Sequence, residues 1–197
     1  MKSLVDNARS FTTHVAERAK EFHALEAGQS PEVLFIACSD SRVVPSLITG
    51  ARPGELFELR TAGNIVPAYS GSRPSAETAT IEYAVRALGV RDVIVCGHSH
   101  CGAVNALVGG GALSGLPAVR GWLEHAAGRP ETTALLSPDL AEAVQRHAVA
   151  QLERLYEHPC VAERLEAGTL AAHAWYYEVH TGAVRAYQGA YCVVINL

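Results

Sequence analysis

The stretch Val33-Leu34-Phe35-Ile36-Ala37, followed directly by Cys38-Ser39-Asp40-Ser41-Arg42, decides the fold that this sequence adopts. Its first five residues form a continuous apolar run, which is typical of a strand buried on both faces of a parallel sheet. A second apolar run, residues 93–96, is soon followed by His98-Ser99-His100-Cys101-Gly102. Binding sites in open parallel sheets form just outside the carboxyl ends of the strands. We therefore expect the two polar runs to meet if their strands are neighbours.

Strands alternate with helices along the rest of the sequence. Apolar residues recur at steps of three and four from Leu4 to Leu25, which predicts an amphipathic N-terminal helix. Residues 75–88 show a similar helical spacing, residues 56–59 resemble a strand, and residues 172–187 resemble a terminal hairpin. The pattern predicts an α/β fold: a central, mostly parallel β-sheet of about four strands plus an antiparallel terminal strand, flanked by helices.

The composition is that of one globular domain. The 197 residues are 49% hydrophobic and 18% charged, and a chain of this length can bury a continuous core. We expect a single domain over residues 1–197, with residues 1–30 as an N-terminal helical arm. The net charge of −4 argues against a nucleic-acid partner.

The sequence also argues against a membrane partner. No apolar run approaches the roughly 18 residues that a membrane-spanning helix needs. The first twenty residues lack the apolar segment of a signal peptide. A cytoplasmic location is therefore expected, in which the five cysteines stay reduced.

Cys38, His98 and Cys101 form a candidate zinc site. Thiolate and imidazole ligands suit Zn²⁺. Three protein ligands with an open fourth position are typical of catalytic zinc, whereas four protein ligands are typical of structural zinc. The role of Asp40 is open at this point: it is either the fourth ligand, or Arg42 holds it away in a bidentate ion pair and water takes the fourth position.

The paired motifs resemble those of β-class carbonic anhydrases. They are CSDSR at residues 38–42 and GHSHCG at residues 97–102, with Arg60-Thr61-Ala62-Gly63-Asn64 between them. The resemblance runs from about Gln29 through the helix that follows Gly102, and the terminal hairpin also fits. It implies reversible hydration of carbon dioxide to bicarbonate and a proton by a zinc-bound hydroxide, with one Zn²⁺ per chain.

The resemblance also implies roles for individual residues. Carried over by position, it assigns zinc ligation to Cys38, His98 and Cys101, catalysis to Asp40 and Arg42, and substrate binding to Gln29, Phe57, Tyr83 and Gly102. In the family, the N-terminal helix reaches a second subunit and both chains contribute to the pocket, so a homodimer or higher homo-oligomer is implied.

Two positions depart from related branches of the family. The branch regulated by a non-catalytic bicarbonate carries a tryptophan three residues before the first cysteine ligand, where this chain has Phe35. This implies the plant-type branch with an open zinc site. Ala62 stands where a larger apolar residue often lines the pocket, which implies a roomier pocket.

Three other functions remain as alternatives. A zinc hydrolase of the same fold, acting on carbonyl sulfide or carbon disulfide, would use the same ligands. A non-catalytic zinc protein would keep Asp40 permanently on the metal in a closed site. A serine hydrolase is suggested by residues 97–101, a near match to G-x-S-x-G in which Cys101 replaces the last glycine, but it leaves the first motif unexplained.

The remaining histidines receive no role. His100 fills a variable position of the second motif. Six others are expected at the surface: His14, His23, His125, His147, His173 and His180.

Overall fold

A computed structural model describes residues 1–109, 113–127, 139–188 and 191–196, with the side chains of residues 125–127, 188 and 191–196 left out of the description. The chain divides into two compact units, Met1–Ser30 and Pro31–Leu197. Among the described residues, no helix combines the length and the apolar character required to cross a membrane.

The N-terminal unit contains two helices where the sequence predicts one. Helix α1 covers Lys2–Glu17 and α2 covers Ala19–Ala24, followed by a 3₁₀ turn at Leu25–Ala27. The break lies at Arg18, whose backbone angles of φ −116° and ψ 31° are not helical. The Arg18 guanidinium forms an ion pair with the carboxylate of Glu21, which lies in α2.

The second unit is built on one sheet. The strands in the described part of the chain are β1 (Val33–Cys38), β2 (Leu56–Thr61), β3 (Asp92–His98), β4 (Ala171–Tyr177), β5 (Val184–Gln188) and β6 (Tyr191–Asn196). They pair in the order β2-β1-β3-β4-β5-β6. The first four strands are parallel, and β5 and β6 are antiparallel to their neighbours. The predicted fold class and terminal hairpin are confirmed, and β6 adds a second antiparallel strand.

Helices connect the four parallel strands. They are α3 (Pro45–Thr49), α4 (Ala76–Glu82), α5 (Gly102–Leu107), α6 (Pro117–Ala127), α7 (Leu140–Leu155) and α8 (Pro159–Glu166). Ser75 caps the N-terminus of α4: its hydroxyl accepts a hydrogen bond from the Thr78 amide at 3.1 Å. Helix α4 continues as a π-helical turn over Tyr83–Leu88.

Strand β1 is buried on both faces, as its apolar run predicts. Leu34 and Ile36 belong to a core cluster that includes residues of the π-helical turn and of α8. Phe35 and Ala37 point to the opposite face, where the Phe35 ring lies edge-on to Trp175 with centroids 5.9 Å apart. Because both faces are covered, only the strand ends can present polar groups to a site.

The carboxyl ends of β1 and β3 meet, as the sequence predicts. The two strands are neighbours, and Ala37 is the register partner of Cys96. Cys38 is the last residue of β1 and His98 is the last residue of β3. The chain passes from β1 to β2 on one side and reaches β3 on the other, so the two polar runs lie at the switch point of the sheet.

Candidate metal centre

Cys38, His98 and Cys101 lie together at this switch point. All three residues are buried, and the atoms that each offers as a ligand lie within 4.8 Å of one another. Zinc bonds of about 2.3 Å to sulfur and about 2.0 Å to nitrogen place tetrahedral ligand atoms roughly 3 to 4 Å apart. The cluster therefore fits one zinc ion, and its two sulfurs and one imidazole suit that metal.

The tautomer of His98 leaves one ring nitrogen for a metal. Its Nδ1 lies 3.0 Å from the Ser99 carbonyl oxygen, and since a carbonyl only accepts, Nδ1 carries the proton. The Nε2 atom is buried and has no hydrogen-bond partner among the described residues. An orphaned buried nitrogen is costly, whereas a metal ion in the cluster would use its lone pair.

Ser99 is itself held firmly, which keeps His98 oriented. Its amide donates to the Tyr177 carbonyl at 2.9 Å, and its hydroxyl accepts from the Val179 amide at 3.0 Å. The hydroxyl is thus buried in a structural hydrogen bond. This arrangement disfavours Ser99 as the nucleophile of a serine hydrolase.

The neighbouring thiols of Cys38 and Cys101 shift each other's pKa in opposite directions. A hydrogen bond from Cys101 lowers the pKa of Cys38 to about 4, and the hydrogen bond from the Gly63 amide acts in the same direction. The pKa of Cys101 is raised, because losing its proton would break that bond and place a second negative charge in a buried site. A metal ion can replace this proton, since thiolates are the form that binds metals.

Asp40 and Arg42 form a bidentate ion pair beside the cluster. Arg42 donates from Nε to Oδ1 at 2.9 Å and from Nη2 to Oδ2 at 2.7 Å, and its backbone amide also donates to Oδ1 at 2.9 Å. The Arg42 hydrogen bonds hold the pKa of Asp40 well below its usual range. Asp40 Oδ2 lies 4.0 Å from His98 Nε2, at the upper end of the separation between two ligands of one tetrahedral zinc ion. The pairing of both carboxylate oxygens with Arg42, and not this distance, is therefore what bears on whether Asp40 is a ligand.

Arg60 joins the two parts of the site. Its Nε and Nη2 donate to the Cys38 carbonyl at 3.2 and 2.8 Å, and Nη2 also donates to the Asp40 carbonyl at 2.9 Å. The sequence presents Arg60 only as part of a motif. Its bridging role depends on the register of β1 against β2, which pairs Ala37 with Arg60.

Gly63 contacts the cluster through its backbone. Its amide donates to Cys38 Sγ at 3.3 Å. The residue has φ 79°, and a Cβ atom there would lie 2.9 Å from the Ala103 Cβ, so glycine is required. Its carbonyl lies 2.8 Å from His147 Nε2.

The surface prediction for His147 is wrong. The residue is fully buried on the inner face of α7. Ala143, Val144 and Ala148 share that buried face, and their helical spacing around position 147 is the sequence signal that indicates burial. The side chain of His125 lies outside the described residues.

Two of the predicted pocket residues contact each other away from the cluster. The rings of Phe57 and Tyr83 have centroids 6.0 Å apart. Phe57 precedes Thr61, the register partner of Cys38, by four positions on β2. At about 3.3 Å per residue, it lies about 13 Å along the sheet from Cys38 of its own chain.

The other two predicted pocket residues lie in separate units. Gly102 is exposed and begins α5 directly after Cys101 of the cluster. Gln29 is exposed and belongs to the unit Met1–Ser30. Their substrate-binding roles stay predictions.

Comparison with known proteins establishes the family. The family model described as carbonic anhydrase matches residues 33–184. The solved structure of the β-carbonic anhydrase CcaA superposes with a TM-score of 0.91 at 38% sequence identity, covering 100% of this chain and 92% of that one. The chain belongs to the β-carbonic anhydrase family.

Other relatives are similar to this chain along most of their length. A carbonic anhydrase from Pseudomonas aeruginosa is 47% identical over 196 residues, covering 96% of this chain and 89% of that protein. Carbonic anhydrase 1 from Escherichia coli O157:H7 is 42% identical with the same coverage. One solved structure, from work on two tetrameric β-carbonic anhydrases of Sordaria macrospora, has a TM-score of 0.80 at 27% identity, covering 95% of this chain and 96% of that one.

Proposed function

We propose that this β-carbonic anhydrase hydrates carbon dioxide reversibly to bicarbonate and a proton, at one zinc ion per chain held by Cys38, His98 and Cys101. The observation that carries the proposal is the buried His98 Nε2, which has no partner among the described residues and lies in a cluster with two thiol sulfurs. A zinc ion held there supplies the Lewis acidity that makes a hydroxide nucleophile available near neutral pH.

Asp40 accepts a hydrogen bond from the nucleophile and does not ligate the metal. Arg42 occupies both carboxylate oxygens, which supports a position outside the ligand set. Because its pKa is lowered, Asp40 stays ionised over the working pH range and can only accept. A fixed acceptor orients the hydroxyl proton away from carbon dioxide, so that a lone pair faces the substrate. Phe35, in place of the tryptophan of the bicarbonate-regulated branch, also supports an open site.

The substrate pocket is completed by a second copy of the chain. Phe57 lies about 13 Å along the sheet from Cys38 of its own chain and contacts Tyr83, which supports a role for both in a partner's pocket together with Gln29. We assign residues 1–30 as the arm of a homodimer, because the apolar side chains Leu4 and Phe11 are exposed on it. Gly102 contributes its backbone amide to bound substrate in the same chain.

The state of the cysteines supports a cytoplasmic enzyme. The four cysteines whose side chains are described, Cys38, Cys96, Cys101 and Cys160, are all free thiols. Free thiols are typical of a reducing compartment.

Stopped-flow measurement of carbon dioxide hydration by the zinc-loaded protein, from pH 6.5 to 9, tests the proposal. We expect activity to rise with pH, and Asp40→Asn to lower kcat by about 10²-fold with zinc content unchanged. Asp92→Asn is the matched control: it removes a carboxylate at the opposite end of β3 and leaves activity unchanged.

Three results would contradict the proposal. A flat pH profile would argue against an ionising nucleophile. Loss of zinc in Asp40→Asn would show that Asp40 is a ligand and that the site is closed. Hydrolysis of carbonyl sulfide without hydration of carbon dioxide would show that the substrate is a sulfur analogue of carbon dioxide.

A further inference from the structure

We propose that Trp122 and His147 are positioning residues that hold the Gly63 amide on the Cys38 sulfur and thereby tune that metal ligand. The inference deepens the proposed function, since it rests on Cys38 binding zinc. Each residue acts on the Cys38 sulfur through the backbone of the turn at Ala62 and Gly63.

The contact that matters is the hydrogen bond from the Gly63 amide to Cys38 Sγ, 3.3 Å long. An N–H donor draws electron density from a thiolate and makes it a weaker base. The metal that the thiolate binds then remains a stronger Lewis acid. The direction of this one amide therefore bears on the chemistry of the site.

Trp122 acts on the Gly63 amide through the peptide group that joins Ala62 to Gly63. Its Nε1 donates to the Ala62 carbonyl at 2.8 Å. The Ala62 carbonyl and the Gly63 amide belong to one peptide bond, so an indole N–H on the oxygen polarises the N–H at the other end. The result is a chain of two hydrogen bonds from the indole to the Cys38 sulfur.

His147 supports Gly63 from the next peptide group. Its Nε2 lies 2.8 Å from the Gly63 carbonyl, and since the carbonyl only accepts, Nε2 is the donor. Burial lowers the pKa of His147 to about 4, so the ring is neutral at working pH. This carbonyl is in a different peptide group from the Gly63 amide, so the effect of His147 is positional: it fixes the strained turn at φ 79°.

His158 provides a matched control in the same segment. It is buried like His147, and its Nε2 lies 3.0 Å from the Pro67 carbonyl. Pro67 follows Gly63 by four positions, so this hydrogen bond stabilises the segment without bearing on the amide that contacts Cys38.

Cobalt(II)-substituted protein supplies the test, with the thiolate-to-cobalt charge-transfer band and the cobalt affinity as readouts. Trp122→Phe keeps an aromatic ring and removes the donor, and His147→Leu removes the second donor. We expect both to shift the band to longer wavelength, because the thiolate becomes more electron-rich. We expect both to weaken cobalt binding by about 3- to 10-fold, because the Cys38 sulfur is less well placed. His147→Gln retains an N–H donor and should restore both values to near wild type.

The control separates positioning from plain stability. We expect His158→Leu to lower the melting temperature about as much as His147→Leu while leaving the band in place. The proposal is overturned if Trp122→Phe, folded as judged by circular dichroism, changes neither readout, or if His158→Leu moves the band as far as His147→Leu. Because neither readout needs turnover, an absence of hydration activity would count against the proposed function alone.

Discussion

The two halves of the site differ in what holds them. The metal half, Cys38, His98 and Cys101, is at most 7% exposed. The carboxylate half is more open, with side-chain exposures of 18% for Asp40 and 45% for Arg42. The metal half is assembled from two strands and the start of a helix, whereas the carboxylate half consists of residues two positions apart. One half is therefore created by the fold, and the other by local sequence.

The difference has a physical reason. Buried polar groups need partners within the protein because water cannot reach them, and the partner of Cys38 Sγ is the Gly63 amide, which lies 25 positions away in the sequence. An exposed ion pair competes with water and is usually weak. Asp40 and Arg42 overcome this with a bidentate geometry and an added backbone amide, which fix the carboxylate locally.

The largest effect is expected from removing a ligand in the metal half. Cys101→Ala should abolish zinc binding and lower kcat/KM by at least about 10⁴-fold, since two ligands hold the metal poorly. Atomic absorption and stopped-flow hydration measure the two quantities. Cys96→Ala removes another buried thiol, two residues before His98, and should keep full zinc content. Equal zinc loss in both variants would show that the loss results from a folding defect and not from removal of a ligand.

A second prediction concerns how the free energy of unfolding depends on pH through His147, which contacts Gly63 beside the metal half. Burial lowers the pKa of His147 from its ordinary 6.5 to about 4; Arg154 acts in the same direction, whereas the Gly63 carbonyl and Cys38 oppose the fall. The unfolded chain therefore binds a proton between these values that the folded chain does not. Stability from this group is complete above pH 6.5 and decreases as pH falls, by about 3 kcal/mol at pH 4.

Urea unfolding of the metal-free protein at a series of pH values measures this decrease. His147→Gln has no titrating ring and should show a slope smaller by one proton between pH 4.5 and 6. An unchanged slope in the variant would place the pH sensitivity elsewhere.

A smaller effect is expected in the carboxylate half. Arg42→Lys should lower kcat about tenfold and retain zinc, because lysine cannot donate to both carboxylate oxygens as a planar fork does. Arg52→Lys is the matched control, since Arg52 pairs with Glu55 through Nε and Nη2 at the surface. A loss of zinc in Arg42→Lys would show that the two halves are not independent.

The smallest effect is expected outside both halves. Ser75→Ala removes the cap of α4 and should lower the free energy of unfolding by about 1 kcal/mol without changing kcat. Ser75→Asp keeps a capping oxygen and should unfold near the wild-type denaturant concentration. A fall in kcat for Ser75→Ala would mean that global stability contributes to activity.

Much of the site could be predicted, because its chemistry is concentrated in two short motifs that follow apolar strands. The meeting of Cys38 with His98 follows from the rule for parallel sheets, and the Asp40–Arg42 pair follows from adjacency. The break at Arg18 could not be predicted from apolar spacing, which continues across it. Strand β6 was not predicted, because a short apolar run has no periodicity that separates a strand from other buried structure.

The sequence by itself determined the donor chemistry of this protein: which residues can bind zinc, which carboxylate has an arginine beside it, and which strands bring them together. Only the tertiary structure decided how those groups are held. Trp122 reaches the Ala62 carbonyl across 60 positions and His147 reaches the Gly63 carbonyl across 84, and Arg60 joins the Cys38 and Asp40 backbones. Such hydrogen bonds satisfy buried polar groups between distant segments, and neither periodicity nor local spacing encodes them.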